Sequence, residues 1–136
     1  MNISANNESA IRILLVDDNE DASASMSDLL SLYGHQVRTA ANGASALDIA
    51  KQFHPQLVLS DIGLPGMDGY ALAPALRQLA GDRRMVMAAV TGYGQSSDRE
   101  RAIRAGFDHH LVKPLAAEAL LRFIDEQRLS LCSEMS

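Results

Sequence analysis

Short apolar runs alternate along this chain with longer segments whose apolar residues recur at helical spacing. The apolar runs predict five strands, at residues 11–17, 35–40, 57–61, 85–90 and 108–112. The intervening segments predict five helices, at residues 18–33, 42–53, 68–79, 97–106 and 115–128. Five strand–helix units in this order indicate an α/β fold, in which a parallel sheet is covered by helices on both faces and joined by right-handed crossovers.

The sequence also predicts features of individual strands and helices. The second strand is the most polar, which favours a place at the edge of the sheet. On the first helix Tyr33 falls on the apolar face, as Ala119 does on the fifth. Pro74 lies several residues into the third helix, where the loss of an N–H group should kink that helix or delay its start.

Length, net charge and the distribution of apolar residues limit which classes of protein this chain can belong to. With 136 residues the chain fits one domain, for which we expect residues 11–128, after a disordered extension at residues 1–10 and before a tail at residues 129–136. The net charge of −5 gives no overall basic field for nucleic acid or anionic lipid. No apolar stretch approaches the length of a membrane span, and residues 1–10 do not resemble a signal peptide. We therefore expect no direct nucleic-acid binding, no membrane segment and a cytoplasmic location.

Polar residues stand at the ends of four predicted strands. Asp17 ends the first strand and Asp18 follows it, Asp61 ends the third, Thr91 follows the fourth and Lys113 the fifth. In an open parallel sheet, ligand sites form beyond the carboxyl ends of the strands. We therefore expect these side chains to converge on one site.

The residue types at this site indicate phosphoryl chemistry with a metal ion. Asp17, Asp18 and Asp61 would repel one another unless a cation lies among them, and Mg²⁺ needs only a few carboxylates. For Asp17 and Asp18 alone, a loop of solvated acids is an equal interpretation, but their position at a strand end favours a site. Asp61 can attack phosphorus as a nucleophile, while Lys113 and Thr91 can contact phosphate oxygens.

At these residues the chain resembles the receiver domain of two-component response regulators. The resemblance covers roughly residues 11–128. The motifs that carry it are Leu14-Leu15-Val16-Asp17-Asp18-Asn19, Asp61-Ile62-Gly63-Leu64-Pro65-Gly66-Met67-Asp68-Gly69, Thr91-Gly92 and Lys113-Pro114. The segment at residues 106–114 is most similar to receivers fused to hybrid sensor kinases.

The resemblance implies a flavodoxin-like sheet with strand order 2-1-3-4-5 and phosphorylation of Asp61 by a sensor histidine kinase or a histidine phosphotransfer protein. It implies Mg²⁺ held by Asp17 or Asp18, by Asp61 and by the backbone carbonyl of Gly63. A downstream output protein would read the phosphorylated state. The chain itself would be a signalling protein and not an enzyme, acting only in its own phosphorylation and dephosphorylation.

The resemblance also implies a conformational switch. Thr91 would follow the phosphoryl group, and His110, which stands where the family has an aromatic residue, would turn inward and change the surface of the fourth helix, fifth strand and fifth helix. A cis peptide between Lys113 and Pro114 would aim the lysine at the site. Tyr93 would influence the lifetime of the phosphorylated state.

Three other functions fit parts of the pattern. A haloacid-dehalogenase-type phosphatase needs a second aspartate two residues after its nucleophile, where this chain has Gly63. A flavin- or nucleotide-binding module would need a phosphate-cradling loop, but the first strand is followed by acidic residues. A degenerate receiver that only binds partners would not need the complete set of Asp61, Thr91 and Lys113.

Overall fold

A computed structural model describes residues 10–62, 69–92, 96–113 and 115–135. Strands and helices alternate from end to end of these ranges. The strands are β1 Arg12–Val16, β2 Gln36–Ala40, β3 Leu57–Asp61, β4 Val86–Thr91 and β5 His109–Val112. The helices are α1 Glu20–Leu32, α2 Gly43–Phe53, α3 Gly69–Ala80, α4 Ser96–Ala105 and α5 Ala117–Met135.

The strands form one parallel sheet in the order β2-β1-β3-β4-β5. This confirms the expected fold and the position of the polar β2 at an edge. The central strands β1, β3 and β4 are buried along nearly their whole length, which is why their sequences are continuously apolar and lack the alternation of a half-exposed strand.

Alternate residues of each strand pack into two hydrophobic cores, one on each face of the sheet. One core packs Val58, Met87 and Ala89 against α2, α3 and α4. The other packs Leu59 and Val90 of the same strands against α1 and α5. The sheet is therefore held from both sides, and its carboxyl edge is a fixed platform for the polar residues that follow the strands.

Asparagine side chains fix where the first two helices begin. The Asn19 side chain accepts a hydrogen bond from the N–H of Ala22 at 3.1 Å, and Asn42 accepts one from Ser45 at 2.9 Å. Each bond satisfies an N–H group that has no partner within its helix. Because Asn19 is the cap, α1 begins at Glu20, two residues later than predicted.

The fifth helix departs most from the sequence prediction. It was expected to end at Arg128 before a short tail, but it continues to Met135, and Leu131 is only 3% exposed in the core between α1, α5 and the sheet. Ala119 was expected to face inward and is exposed.

One further expectation fails at the end of a helix. Tyr33 is 58% exposed because α1 ends before it and Tyr33 serves as the C-cap. Of the two effects expected of Pro74, a delayed start is excluded, because α3 begins five residues earlier at Gly69 and runs through the proline.

Arg77 ties the amino ends of two strands to α3. Its guanidinium donates to the carbonyl oxygens of Met85 at 2.6 Å and Gly106 at 3.1 Å, and pairs with Asp108 at 2.6 Å. The same Asp108 oxygen accepts the N–H of Met87 at 2.8 Å.

Within the ranges given above, no helix has the length and apolar character needed to cross a bilayer.

Candidate functional site

Three carboxylates meet at the carboxyl edge of the sheet, as the sequence predicted. Asp17 and Asp18 directly follow β1, and Asp61 is the last residue of the neighbouring β3. One oxygen from each of the three lies within 4.8 Å of the others. Asp18 is exposed, whereas Asp17 and Asp61 are partly buried, so the cluster opens to solvent on one side.

The cluster fits a small divalent cation. An octahedral Mg²⁺ with ligand distances of about 2.1 Å places its oxygen ligands no more than roughly 4.2 Å apart. The three carboxylate oxygens lie within 4.8 Å of one another, so modest side-chain movements would bring them into ligand range of one ion. Hard, negatively charged oxygens are also the ligand type that Mg²⁺ prefers.

Lys113 brings a positive charge to the same cluster. Its Nζ atom donates a hydrogen bond to Asp61 Oδ2 at 3.0 Å and lies 3.9 Å from Asp17 Oδ2. Burial alone would lower the pKa of Lys113, but the hydrogen bond and the negative charge of Asp61, with smaller contributions from Asp17 and Asp18, outweigh it and raise that pKa. The lysine is therefore fully protonated at neutral pH. Its side chain is 40% exposed, so water screens the pair and we assign it no large stabilisation.

Asp17 is held in place by the backbone. One of its oxygens accepts the N–H of Asn19 at 2.9 Å, and its own N–H donates to the carbonyl of Ala40 at 2.9 Å. Burial raises the pKa of the Asp17 carboxyl, and the charges of Asp61 and Asp18 add to the rise, against the opposing Asn19 N–H and Lys113. The raised pKa means that the charged form of Asp17 is under-compensated, which favours cation binding.

Asn19 contributes to the site through a role that was not predicted from the sequence. Its N–H orients Asp17, while its side chain caps α1. The signal in the sequence was an Asp followed two residues later by Asn at a strand–helix junction, which is typical of an Asx turn leading into a helix cap.

Thr91 and His110 lie on the same face of the sheet. Thr91 is the last residue of β4 and is 5% exposed, and its carbonyl accepts the N–H of Lys113 at 2.7 Å. His110 pairs in register with Ala89, two residues before Thr91, so both side chains project toward the core that contains Ala89.

The two histidines of β5 differ in environment. His110 is partly buried, and its Nε2 atom is buried with no hydrogen-bond partner among the described residues. His109 projects to the other face and packs edge-on against Phe123 of α5, with ring centroids 5.1 Å apart.

Several predicted site residues lie outside the described residues. They are Gly63, Tyr93 and Pro114, and with Pro114 the expected cis peptide after Lys113.

An apolar cleft of about 570 Å³ adjoins the cluster between α1 and α5. Asp17, Asp61 and Lys113 line it together with apolar side chains such as Met26 and Leu120. The cleft leaves space beside Asp61 for an incoming group.

The chain belongs to the response regulator receiver domain family. The sequence model of that family matches residues 13–125, which include all four elements of the site: the acidic pair, Asp61, Thr91 and Lys113. The chain is thus a receiver domain of two-component signal transduction, and the family is one of signalling domains.

Among similar proteins of known sequence, Protein PilH of Pseudomonas aeruginosa is 34% identical over 114 residues, covering 84% of this chain and 94% of PilH. The sensor histidine kinase RcsC of Escherichia coli is 33% identical over 122 residues, 90% of this chain but 12% of RcsC. The transcriptional regulatory protein PrrA of Mycobacterium tuberculosis is 36% identical over 110 residues, 81% of this chain and 46% of PrrA. The chain therefore spans about half or less of RcsC and PrrA.

Solved structures give the same result. The receiver domain protein of Methanospirillum hungatei JF-1 superposes with a TM-score of 0.83 at 30% identity, covering 92% of this chain and 98% of that one. The receiver domain of sensor histidine kinase PA1611 of Pseudomonas aeruginosa superposes with a TM-score of 0.77 at 29% identity, covering 88% of this chain and 98% of that one. That structure has a magnesium ion coordinated in its active site cleft.

Proposed function

We propose that Asp61 is the phosphoacceptor and that it receives a phosphoryl group from a phosphohistidine of a sensor histidine kinase or histidine phosphotransfer protein. The observation that carries this proposal is the arrangement around Asp61. Its carboxylate lies within 4.8 Å of two other carboxylates, and a lysine ammonium group donates to it at 3.0 Å. The cluster thus combines a nucleophile, oxygens for a cation and a fixed positive charge.

In the proposed transfer, a carboxylate oxygen of Asp61 attacks phosphorus while the bond from phosphorus to the donor's ring nitrogen breaks. The electron pair of that bond stays with the nitrogen, and the donor leaves as neutral imidazole when its other nitrogen carries a proton. The product on this chain is a mixed anhydride. Lys113 and Thr91 would then contact phosphate oxygens, which need positive charge and hydrogen-bond donors as the transfer proceeds.

Asp17 or Asp18, together with Asp61 and the backbone carbonyl of Gly63, would hold Mg²⁺. The bound ion would supply positive charge next to the phosphoryl oxygens. The carboxylates would position it, with Asp17 oriented by the N–H of Asn19. The magnesium ion in the similar PA1611 receiver supports this assignment.

Thr91 and His110 would report phosphorylation to the surface of α4, β5 and α5. Since the two side chains project from the same face of the sheet, a shift of Thr91 toward the phosphoryl group would free space that His110 can enter. Nε2 of His110 lacks a hydrogen-bond partner among the described residues, which favours such a move, because a buried polar nitrogen is stabilised when it finds a donor or acceptor.

The partners would be the phosphodonor protein and an output protein that binds the changed surface. Sequence similarity to RcsC and PrrA, which are far longer than the region matched, supports both a hybrid-kinase setting and a regulator setting. The apolar cleft beside Asp61 supports docking of the donor there.

Incubation with Mg²⁺ and acetyl phosphate tests the role of Asp61. We expect wild type to form a hydroxylamine-sensitive adduct detected by intact-protein mass, and Asp61→Asn to form none. Asp48→Asn, which removes an exposed carboxylate on α2, is the matched control and should be phosphorylated like wild type. Continuous release of phosphate without an adduct would support the phosphatase alternative, and an absence of both would support a receiver that only binds partners.

The role of His110 is tested on the phosphorylated protein by amide NMR. We expect phosphorylation to shift the β5 amides in wild type, and His110→Ala to take up the phosphoryl group while these shifts shrink. Equal shifts in both proteins would show that His110 does not take part in the switch.

A further inference from the structure

A second cleft lies at the edge of the sheet opposite Asp61, at the amino ends of the strands. We name it the amino-end cleft. It has a volume of about 300 Å³, and its charged and polar lining consists of Arg12, His54, Gln56, Arg83 and Arg84. Among the described residues that line it there is no carboxylate, although the protein as a whole has a net charge of −5.

Two different segments supply the three arginines. Arg12 is the first residue of β1, while Arg83 and Arg84 belong to the turn between α3 and β4. His54 follows α2 in the left-handed conformation, with φ of 53°, and its carbonyl accepts a hydrogen bond from Nε of Arg12 at 2.8 Å. Gln56 anchors the same corner, since its side chain accepts the N–H of Arg12 at 2.9 Å. The cleft is therefore built on fixed backbone.

The guanidinium groups of Arg12 and Arg83 retain donors for a ligand. A guanidinium has five N–H donors, and within the described parts of the chain Arg12 uses only Nε. Arg83 makes one long bond, 3.4 Å, to the carbonyl of Leu79, and Arg84 donates to the Ser130 hydroxyl at 3.1 Å. Neither Arg12 nor Arg83 has a carboxylate within salt-bridge distance among the described residues.

The charge of the cleft indicates the class of ligand. A single carboxylate is satisfied by one arginine in a bidentate pair, which would leave the charge of the other of Arg12 and Arg83 uncompensated. A phosphate group carries close to two negative charges at neutral pH and accepts hydrogen bonds on three oxygens from different directions. It therefore matches donors that arrive from β1 and from the α3–β4 turn.

We propose that the amino-end cleft binds the phosphate group of a phosphorylated small molecule. The site is separate from the phosphoacceptor chemistry, because its residues lie at the other end of the strands and share none with the cluster around Asp61. The phosphate could belong to a soluble compound or to a lipid headgroup, which present the same chemistry to the arginines.

An NMR titration with inorganic pyrophosphate, in metal-free buffer, tests the proposal on the full chain. We expect saturable shifts of the amides of Arg12, His54 and Gln56 in wild type. The double variant Arg12→Gln, Arg83→Gln should bind at least about tenfold more weakly, because charge-assisted bonds are lost. Arg104→Gln, which removes an exposed arginine from the last turn of α4, is the control and should titrate like wild type.

A second titration uses vesicles of phosphatidylcholine with and without phosphatidic acid. Tighter binding to the phosphatidic acid vesicles than to pyrophosphate would assign the phosphate to a lipid headgroup, and binding of pyrophosphate alone would assign it to a soluble compound. The proposal is overturned if neither probe shifts these amides, or if the double variant and the Arg104→Gln control lose affinity equally. Each of these results leaves phosphorylation of Asp61 as a separate question.

Discussion

His35 shows how one backbone hydrogen bond selects the protonation state of a side chain. Its Nδ1 atom accepts the N–H of Ile11 at 3.1 Å, which only an unprotonated nitrogen can do. Burial lowers the pKa of His35, the charge of Arg128 lowers it further, and Asp125 opposes this. The folded protein therefore keeps the neutral imidazole.

We predict that His35 makes stability fall in mildly acidic solution. Its pKa in the folded protein lies below the ordinary value of 6.5, so the unfolded chain binds the proton first. The stability contribution is fully present above pH 6.5 and is lost as the pH falls from 6.5 through the folded pKa. Urea unfolding of wild type and His35→Asn at about pH 7.5 and about pH 5 measures this. The variant, whose amide oxygen can accept the same N–H, should lose less stability between the two.

His54→Asn is the control for this experiment. The His54 side chain is exposed and its backbone is left-handed, a conformation that Asn tolerates. This variant should follow the wild-type change with pH. If His35→Asn also follows it, the neutral imidazole is not the cause of the pH dependence.

Single residues of the site were predictable because they stand at strand ends. Asp17, Asp61 and Lys113 come together as expected, since carboxyl ends of parallel strands meet at one edge of the sheet. Their roles in phosphorylation stay predictions. The role of Asn19 in orienting Asp17 was not predicted. It depends on a hydrogen bond from the backbone N–H of Asn19 to the Asp17 side chain, which no pattern of charged residues indicates.

At the scale of elements, the end of α5 was the least predictable feature. Leu120 and Ile124 continue the apolar face, but Gln127 interrupts it before Leu131, and polar residues follow. Gln127 is nevertheless buried, with 9% of its surface exposed. The apolar face of α5 therefore stays buried beyond Gln127. This burial, and not intrinsic helix preference, accounts for the helical turns after Arg128.

We predict that Leu131→Ala destabilises the protein by about 2–5 kcal/mol, because it opens a cavity in the core that α5 shares with the sheet. Leu129→Ala, two residues earlier on the exposed face, is the matched control and should change stability by less than about 0.5 kcal/mol. Denaturant unfolding measures both values. Similar values for the two variants would favour an unpacked tail after residue 128 over the packed helix.

At the scale of the whole molecule, binding of the proposed Mg²⁺ to the acidic cluster would be coupled to folding. The three carboxylates are brought together only in the folded chain, so Mg²⁺ should bind the folded state selectively. At a concentration 100-fold above the dissociation constant, such binding stabilises by about 2.7 kcal/mol.

We predict opposite effects of Asp18→Asn with and without Mg²⁺. In metal-free buffer the variant should melt at a higher temperature than wild type, because a like charge is removed from the cluster. With Mg²⁺ its melting temperature should rise less than that of wild type, because a ligand is lost. Differential scanning calorimetry measures both shifts, with the exposed Asp82→Asn on the α3–β4 turn as the control. An equal rise with Mg²⁺ in the two variants would place the ion elsewhere.

The sequence by itself determined the order of strands and helices, the buried strands and the charged side chains that meet at the carboxyl edge of the sheet. These depend on local signals: apolar runs, helical spacing and polar residues at strand ends. Tertiary structure decided what depends on contacts between distant segments. It buried Leu131 under a helix longer than predicted, brought Lys113 to 3.0 Å from Asp61, and gathered three arginines at the opposite edge of the sheet. Such arrangements arise because packing and hydrogen bonding act across space, where spacing along the chain carries no signal.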